Sequence, residues 1–600
     1  MAMKTIRDPV HDYISFSSDE QRLVDSPWFQ RLRHCSQNGP TRLVYPSLLG
    51  TRFEHSLGVM DLATRLLESV LDRSKYSNGM VDRFIAACRR DLKLFLGRNR
   101  RSDKDVLADI RTILRATALC HDLGHFPLSH TLERAFESEF WSGAFPKYMP
   151  RRKPHEIVSV EVVRHILERE DGVLDDWVAK GVILVMLSPS GLSVTYRHHD
   201  LPFKQTAFST LNAIIMGDYD ADRLDYLQRD GYLSGSGFGR FDLRRFIDAM
   251  VLTEIDGVYQ VVPTSHALST IEAALVERYK LYKWVYFHHK TLFFDEVTYE
   301  AARAIFRDST TIKKLFRPYD GEASDPLSYL REVLRSLGRP GARIPPLILF
   351  GGERLGANKA RRFCLAPEFL VSNKDTHFFD DVWFCREFRA STRWKGRRSF
   401  YLHCLVERKP CGITAWKDWS QFTRFKGKCE QLGEESSFLT NKTKAADLRT
   451  DVRAWLDRIW GLMKEGDFPD AVCEVFIKLG NARLKKAGMK GVRLLVRMAD
   501  WRLFGNLKDK QIVGRTGKLS RLVADSTLLK ELSNLTGEIP FFVFVVGDTT
   551  EIAAVRRVRN FSDRLLKCLA EAFMNALVQS WDVQEIQGAW SEEPKEGAGS

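Results

Sequence analysis

Apolar residues recur at three- and four-residue steps along much of the first half of the chain. In "HSLGVMDLATRLLESVL", Leu57, Met60, Leu62, Leu66, Leu67 and Val70 gather near one face, the mark of a packed helix. Similar periodicity recurs over residues 106–120, 156–168 and 269–286. Few alternating stretches interrupt it, so this half is expected to be a helical array rather than a βαβ fold. The texture changes in "RSLGRPGARIPPLILFGGERLG", where glycines and prolines cluster, and a boundary is expected near residues 335–345. Residues 346–440 read as mixed and partly β, with aromatic runs such as "THFFDDVWF". "ADLRTDVRAWLDRIWGLM" returns to helical spacing through Leu448, Val452, Trp455, Ile459 and Leu462. "FFVFVV" reads as a buried strand and residues 561–579 as a helix. The expected divisions are 1–335, 336–440 as an insertion or regulatory region, 441–580 as a C-terminal α/β region, and 581–600 as a disordered tail too polar to pack.

Composition narrows the class. The 600 residues are 44% hydrophobic and 28% charged, the make-up of a soluble globular protein with room for more than one core. The runs "VILVML" and "FFVFVV" fall far short of the ~20 residues a membrane span needs, and no signal-type stretch follows Lys4 and Arg7, so a cytoplasmic protein without membrane contact is expected. Ten cysteines include no C-x-x-C pair, so neither a zinc ribbon nor a dense disulfide framework is indicated and reduced thiols are expected. Lysine and arginine outnumber acids by 91 to 77, a net charge of +14 that favours anionic partners such as nucleotides, with nucleic acid second.

The densest chemistry lies in "ALCHDLGHFPLSHTLE", residues 118–133, where His121 adjoins Asp122, His125 follows one turn on, and His130 comes after Pro127. Adjacent helical residues point about 100° apart, so His121 and Asp122 can share a metal only near a helix end. Gly124 and Pro127 supply one. His55 in "GTRFEHSLGVM" is a natural third ligand, and a fourth can come from "GDYDADRLDYLQRDGYLSG", which holds Asp218, Asp220, Asp222, Asp225 and Asp230. Imidazole mixed with carboxylate suits zinc, manganese, iron or a related ion. Singly, a histidine at a helix start is usually packing and an acidic helix a solvated face; in this order they point to one centre.

"TRFEHSLGV", "LCHDLGHFPLSH", "PHEIVSVEVV" and "DADRLDYLQRDG" closely resemble the deoxynucleoside triphosphate triphosphohydrolases of the HD superfamily, from "KTIRDPVHDYISF" to about residue 295, with no SAM domain at the N-terminus. The resemblance implies a mainly α fold: an HD-domain helical array as catalytic domain over 1–335, with a mixed α/β C-terminal region. It implies a dNTPase that cleaves between the 5′ oxygen and the α-phosphorus, with His55, His121, Asp122 and Asp222 holding a divalent metal (Mn, Mg, Fe or Zn). Asp225 is then structural. By the same resemblance His130 is the general acid, oriented by Glu133 and His155, although many relatives have Asp where Glu133 stands. Arg52, His125, Arg223, Tyr226 and Arg278 match triphosphate contacts, and Gln37, Asp230 and Tyr286 match contacts to deoxyribose. Asn38 stands where many relatives place a leucine against the 2′ hydroxyl, which weakens the expected exclusion of ribonucleotides.

Lys4, Asp25, Gln30 and Arg33 match positions that read a guanine in an activating site between subunits, so a nucleotide effector and a homo-oligomer are implied. Control of the dNTP pool, and with it antiviral or antiphage defence, is the corresponding role. Two other readings stand beside it. One is an HD phosphodiesterase or nuclease acting on cyclic nucleotide or single-stranded nucleic acid, for which "CRRDLKLFLGRNRRSDK" and "NARLKKAGMKGVRLLVRM" supply basic stretches. The other is a nucleotide-sensing scaffold with a protein partner on the C-terminal half. Retention of all four metal ligands favours catalysis over the scaffold.

Overall fold

The apolar stripe after His55 folds into a helix, α1 (Arg52–Val70), with side chains buried along its whole length from Phe53 to Val70. Its start is fixed by a capping box: Thr51 N donates to Glu54 Oε1 at 2.5 Å, an arrangement worth ~1 kcal/mol. Glu54 thus faces back to its own backbone, and Arg52 and His55 turn inward. Packed against α1 are α2 (Asp103–Cys120) and α5 (Ala221–Leu233); between these in sequence come α3 (His130–Phe136) and α4 (Pro154–Arg169).

The computed structural model describes residues 4–76, 79–141, 153–169, 172–188, 207–255, 258–308, 316–318, 336, 348–350, 362–365, 370–371, 379–390, 399–409, 411–435, 452–464, 469–501, 506–514, 517–534 and 538–580. The glycine- and proline-rich stretch 338–347, Leu448 and the tail 581–600 lie outside the described residues. The chain forms two compact units. One comprises Met1–Tyr286, Thr298–Ser391 and Lys508–Leu529, the other Phe287–Val297, Thr392–Leu507 and Lys530–Ser600.

The first unit is the helical array, as its periodicity requires. Two antiparallel hairpins that the periodicity did not announce interrupt it, Lys4–Asp8 with Asp12–Phe16 and Met250–Ile255 with Val258–Pro263. Strands of five and six residues are too short to register against helical spacing on either side. A third small sheet pairs Arg362–Leu365 with Phe316–Pro318 and Ile348–Phe350. In the second unit "FFVFVV" is the central strand, Phe541–Val546, buried at every position and antiparallel to Gly412–Thr414 and Arg493–Met498. Helices Trp419–Glu434, Asp470–Lys486 and Phe561–Ser580 belong to this unit. Phe573 stacks on Trp460 and Phe541, with ring centroids 5.1 and 5.7 Å apart, so aromatic packing holds sheet to helix. Among the described residues no helix is long and apolar enough to cross a membrane.

One glycine decides how closely α1 and α5 approach. A Cβ on Gly58 would stand 1.9 Å from Asp225 Oδ1 and 2.7 Å from Arg229 Nη2. Gly58→Ala is therefore expected to push a buried ion pair apart and to lower stability by about 2–4 kcal/mol, read as a reduced urea midpoint at unchanged m value.

Candidate active site

Four side chains from three elements converge beneath α1. His55 comes from its first turn, Asp222 from the first turn of α5, and His121 from the C-terminal cap position of α2, with Asp122 next to it where the chain has left the helix. His55 Nε2 lies 3.0 Å from Asp222 Oδ1 and 3.8 Å from Asp122 Oδ2, and His121 Nε2 lies 3.5 Å from Asp122 Oδ1. Ligands about 2.1 Å from a shared cation stand about 3.0 Å apart in octahedral and about 3.4 Å apart in tetrahedral coordination, so these spacings suit one ion.

The ring nitrogens support that fit. His55 Nδ1 donates to Asp225 Oδ2 at 2.7 Å, and His121 Nδ1 donates to Ala118 O at 2.7 Å. Each ring then turns a buried Nε2 toward the centre, that of His121 without a hydrogen-bond partner and that of His55 against Asp222 Oδ1. A metal supplies that partner, and His55, His121 and Asp222 can hold one. Burial alone would lower the basicity of His55, but Asp222 and Asp225 outweigh it and raise the ring to about 10. A cation entering the centre must therefore displace a proton.

Asp225, expected to be structural, lies directly against the ligand His55. Its carboxylate orients His55, accepts from His11 Nε2 at 2.6 Å, and takes both arms of Arg229 at 2.9 Å. Arg229 in turn reaches Asp8 Oδ2 at 2.8 Å. The "DPVHDY" segment of the first hairpin thus forms the outer shell of the centre. Asp122 is paired with Arg52, whose Nη1 donates to Oδ2 at 2.7 Å. Against the pull of burial, that guanidinium holds the carboxyl well below the usual range.

Beside the centre lies a second cluster. Glu133 is buried and bridges two imidazoles: Oε2 meets His130 Nδ1 at 2.8 Å, and Oε1 meets His155 Nδ1 at 2.6 Å and accepts from His155 N at 2.9 Å. The longer carboxylate at this position reaches both rings. His125 stacks on His155 at 4.1 Å between centroids, and its Nε2 lies 3.8 Å from Asp122 Oδ1. The His130 side chain is 54% exposed, open to an incoming group. Although one edge of the ring is open, the groups crowded around it strip part of its hydration and, with Lys153, lower it below the ordinary imidazole range against the pull of Glu133.

The remaining sequence candidates fall into two groups near these clusters. Tyr286 Oη donates to Asp230 Oδ2 at 2.6 Å, Asn38 also lies against Asp230, and burial raises the Asp230 carboxyl. Gln37 is buried, with its carbonyl accepting from Arg52 Nη2 at 3.3 Å. Arg223 Nη1 donates to Asp220 Oδ2 at 2.5 Å and to Gly217 O. Arg278 is buried with its guanidinium 5.5 Å from the centroid of Tyr282, and Tyr226 adjoins both.

Of the four residues matched to an effector site, Gln30 and Arg33 share a 2.8 Å hydrogen bond, and Arg33 lies 3.5 Å over the ring of Phe53. Asp25 accepts from Gln21 at 3.0 Å, and Lys4 begins the first strand. Among the described residues no hydrogen bond or ion pair joins Lys4 to the other three.

Several positioning residues carried no motif signal. Asp381 is buried, and its Oδ1 accepts from Leu128 N at 2.6 Å while Oδ2 accepts from Ser36 N at 3.2 Å. Leu128 and Ser129 both sit at φ 51°, a left-handed conformation that non-glycine residues hold only when neighbours enforce it. Asp381 thus pins the turn that leads to His130 and the turn that leads to Gln37. Arg31 adds to this by donating to Leu123 O, His125 O and Phe379 O at 2.6–2.9 Å.

Residues 52–227 match the HD domain family. An uncharacterized protein of Methanocaldococcus jannaschii is 31% identical over 286 residues, 48% of this chain and 46% of that protein. Deoxynucleoside triphosphate triphosphohydrolase SAMHD1 is 29% identical over 272 residues in Danio rerio, covering 42% of this chain and 37% of the relative. In Homo sapiens it is 26% identical over 299 residues, covering 48% and 42%. The match spans about half, or less, of the length of these curated relatives. A solved phosphohydrolase from Bacteroides thetaiotaomicron shares the fold at a TM-score of 0.50 and 16% identity, over 91% of this chain and 100% of that one.

Proposed function

From the HD domain at residues 52–227 as premise, we propose that this protein hydrolyses deoxynucleoside triphosphates to deoxynucleoside and inorganic triphosphate. The observation that carries the reading is the adjacency of a metal-competent His and Asp centre to two imidazoles held by one buried carboxylate, Glu133. Such a pair of clusters offers phosphoryl activation and a proton donor side by side. The relatives named for dNTP triphosphohydrolysis support the substrate class. Regulation by a nucleotide, a homo-oligomeric state, cytoplasmic location and a part in dNTP-pool control or antiviral (antiphage) defence belong to the same proposal.

A divalent cation held by His55, His121, Asp122 and Asp222 would polarise the α-phosphoryl oxygen and acidify the attacking water. Arg223, Arg278 and His125 then bind the phosphate chain, while Asp230, Tyr286 and Gln37 seat the sugar. Water adds to the α-phosphorus as the bond to the 5′ oxygen breaks, and His130 delivers the proton that this oxygen needs. Glu133 fixes the ring's tautomer and stabilises its charged form, as a buried carboxylate does for any imidazole acid.

Lowered from the ordinary imidazole range, the His130 ring is largely neutral at pH 7 before substrate binds. A bound polyanion adds negative charge beside the ring and raises its pKa, so substrate binding should take up a proton. Calorimetric titration of a non-hydrolysable dNTP analogue in buffers of different ionisation enthalpy is expected to register net uptake that His130→Asn removes. The reading as a whole is tested by chromatography of products from each dNTP, singly and mixed, with Mn²⁺ or Mg²⁺. Deoxynucleoside with intact triphosphate supports it; cleavage of single-stranded nucleic acid or cyclic nucleotide, with every dNTP untouched, would replace it by the phosphodiesterase reading.

A further inference from the structure

One buried charge near this site has no part in the scheme above. Lys510 is 5% exposed, and its Nζ donates to Asp218 Oδ1 at 2.5 Å, its ion-pair partner among the described residues. The segment that carries it is tied to the same corner. Gln511 O accepts from Tyr219 Oη at 3.2 Å, Val513 bridges Thr264, and Nζ sits 5.3 Å from the centroid of Tyr219.

Two cations are thereby held by neighbouring residues. Gly217 receives Arg223 through its carbonyl and Asp218 receives Lys510 through its carboxylate. Arg223 directly follows the ligand Asp222, and Arg278 adds its charge to both. A buried ammonium costs several kcal/mol unless negative charge compensates it. The compensation here is partial, because the Asp218 side chain is 56% exposed and shared with water. Burial, reinforced by Arg223 and Arg278 and opposed by Asp218, lowers Lys510 to about 8, as befits a cation short of counter-charge.

We propose that Lys510 belongs to the phosphate cradle and takes the terminal phosphate of the bound triphosphate, with Asp218 as its place-holder when no substrate is present. The inference rests on the reading of this site as a triphosphate pocket. Arg223, which follows Asp222, reaches Gly217 O, and the next residue, Asp218, holds Lys510, so in this assignment the lysine meets the end of the phosphate chain remote from the reacting phosphorus. It also makes a residue from the C-terminal third of the sequence part of the site, which discriminates triphosphates from shorter nucleotides.

The test is calorimetric titration of the metal-loaded full chain with inorganic triphosphate and with pyrophosphate. Lys510→Met is expected to weaken triphosphate about tenfold or more and pyrophosphate much less, whereas Lys510→Arg retains the affinity. Asp218→Asn, which releases the lysine without removing it, is expected to tighten triphosphate about two- to fivefold and keeps the test decisive if Lys510→Met fails to fold. Equal triphosphate affinity in Lys510→Met and wild type, weaker binding in Asp218→Asn, or no triphosphate binding by wild type would each overturn the assignment. Wild type that binds triphosphate through Lys510 yet releases none from any dNTP would sink the hydrolase reading and leave the cradle standing.

Discussion

Asp122→Asn is expected to lower bound metal to under about a tenth of the wild-type content and turnover by about 10³-fold or more. The carboxylate stands between His55 Nε2 and His121 Nε2, so it is the member that both rings face. It also carries Arg52 on Oδ2, which explains the choice of asparagine. An amide still accepts from the guanidinium, and the loss is then one of charge at the centre. Asp122→Ala leaves Arg52 buried without its partner and is expected to cost about 3–5 kcal/mol of stability besides. Metal content by plasma mass spectrometry, hydrolysis rate and urea midpoint separate the two effects. Retained metal and hydrolysis in the His121→Ala/Asp122→Ala double variant would exclude this centre as the seat of the chemistry.

His130→Asn is expected to lower kcat on a dNTP by about 10²–10⁴-fold while metal content stays at the wild-type level. The loss comes from the leaving group: a departing 5′ alkoxide is a strong base and needs its proton. An aryl phosphodiester such as bis(p-nitrophenyl) phosphate does not, so its hydrolysis is expected to survive the substitution. Glu133→Gln should act nearly as strongly, because the same carboxylate holds His130 through Oε2 and His155 through Oε1. As the two residues work as one device, the double variant should be little worse than either single one. Equal losses on the dNTP and the aryl ester would show that His130 positions the substrate rather than protonating it.

The chain's residues alone determined the main lines of the protein. Helical periodicity around Leu57 to Val70 announced α1, the six-residue apolar run at 541–546 announced a buried strand, and a break at Gly124 and Pro127 told where His121 and Asp122 could turn the same way. These are local signals, set by backbone sterics and by the side on which a side chain emerges, and they survive in a string of letters. Motif order and resemblance then nominated His55, Asp222, His130, Glu133 and His155, and the fold brings them into two adjacent clusters.

Tertiary structure decided what holds those clusters in place. His11 meets Asp225 across 214 positions, Asp381 meets Leu128 across 253, and Lys510 meets Asp218 across 292. Asp381 and Lys510 carry no pattern in their own neighbourhood, and a lone aspartate or lysine in a chain with net charge +14 reads as solvated surface. Each becomes significant only when packing removes its water, since an unpaired buried charge is costly and selects one partner geometry. Burial and pairing are properties of the assembled core, which is why the ligands were legible in the sequence and the residues that orient and charge-balance them were not.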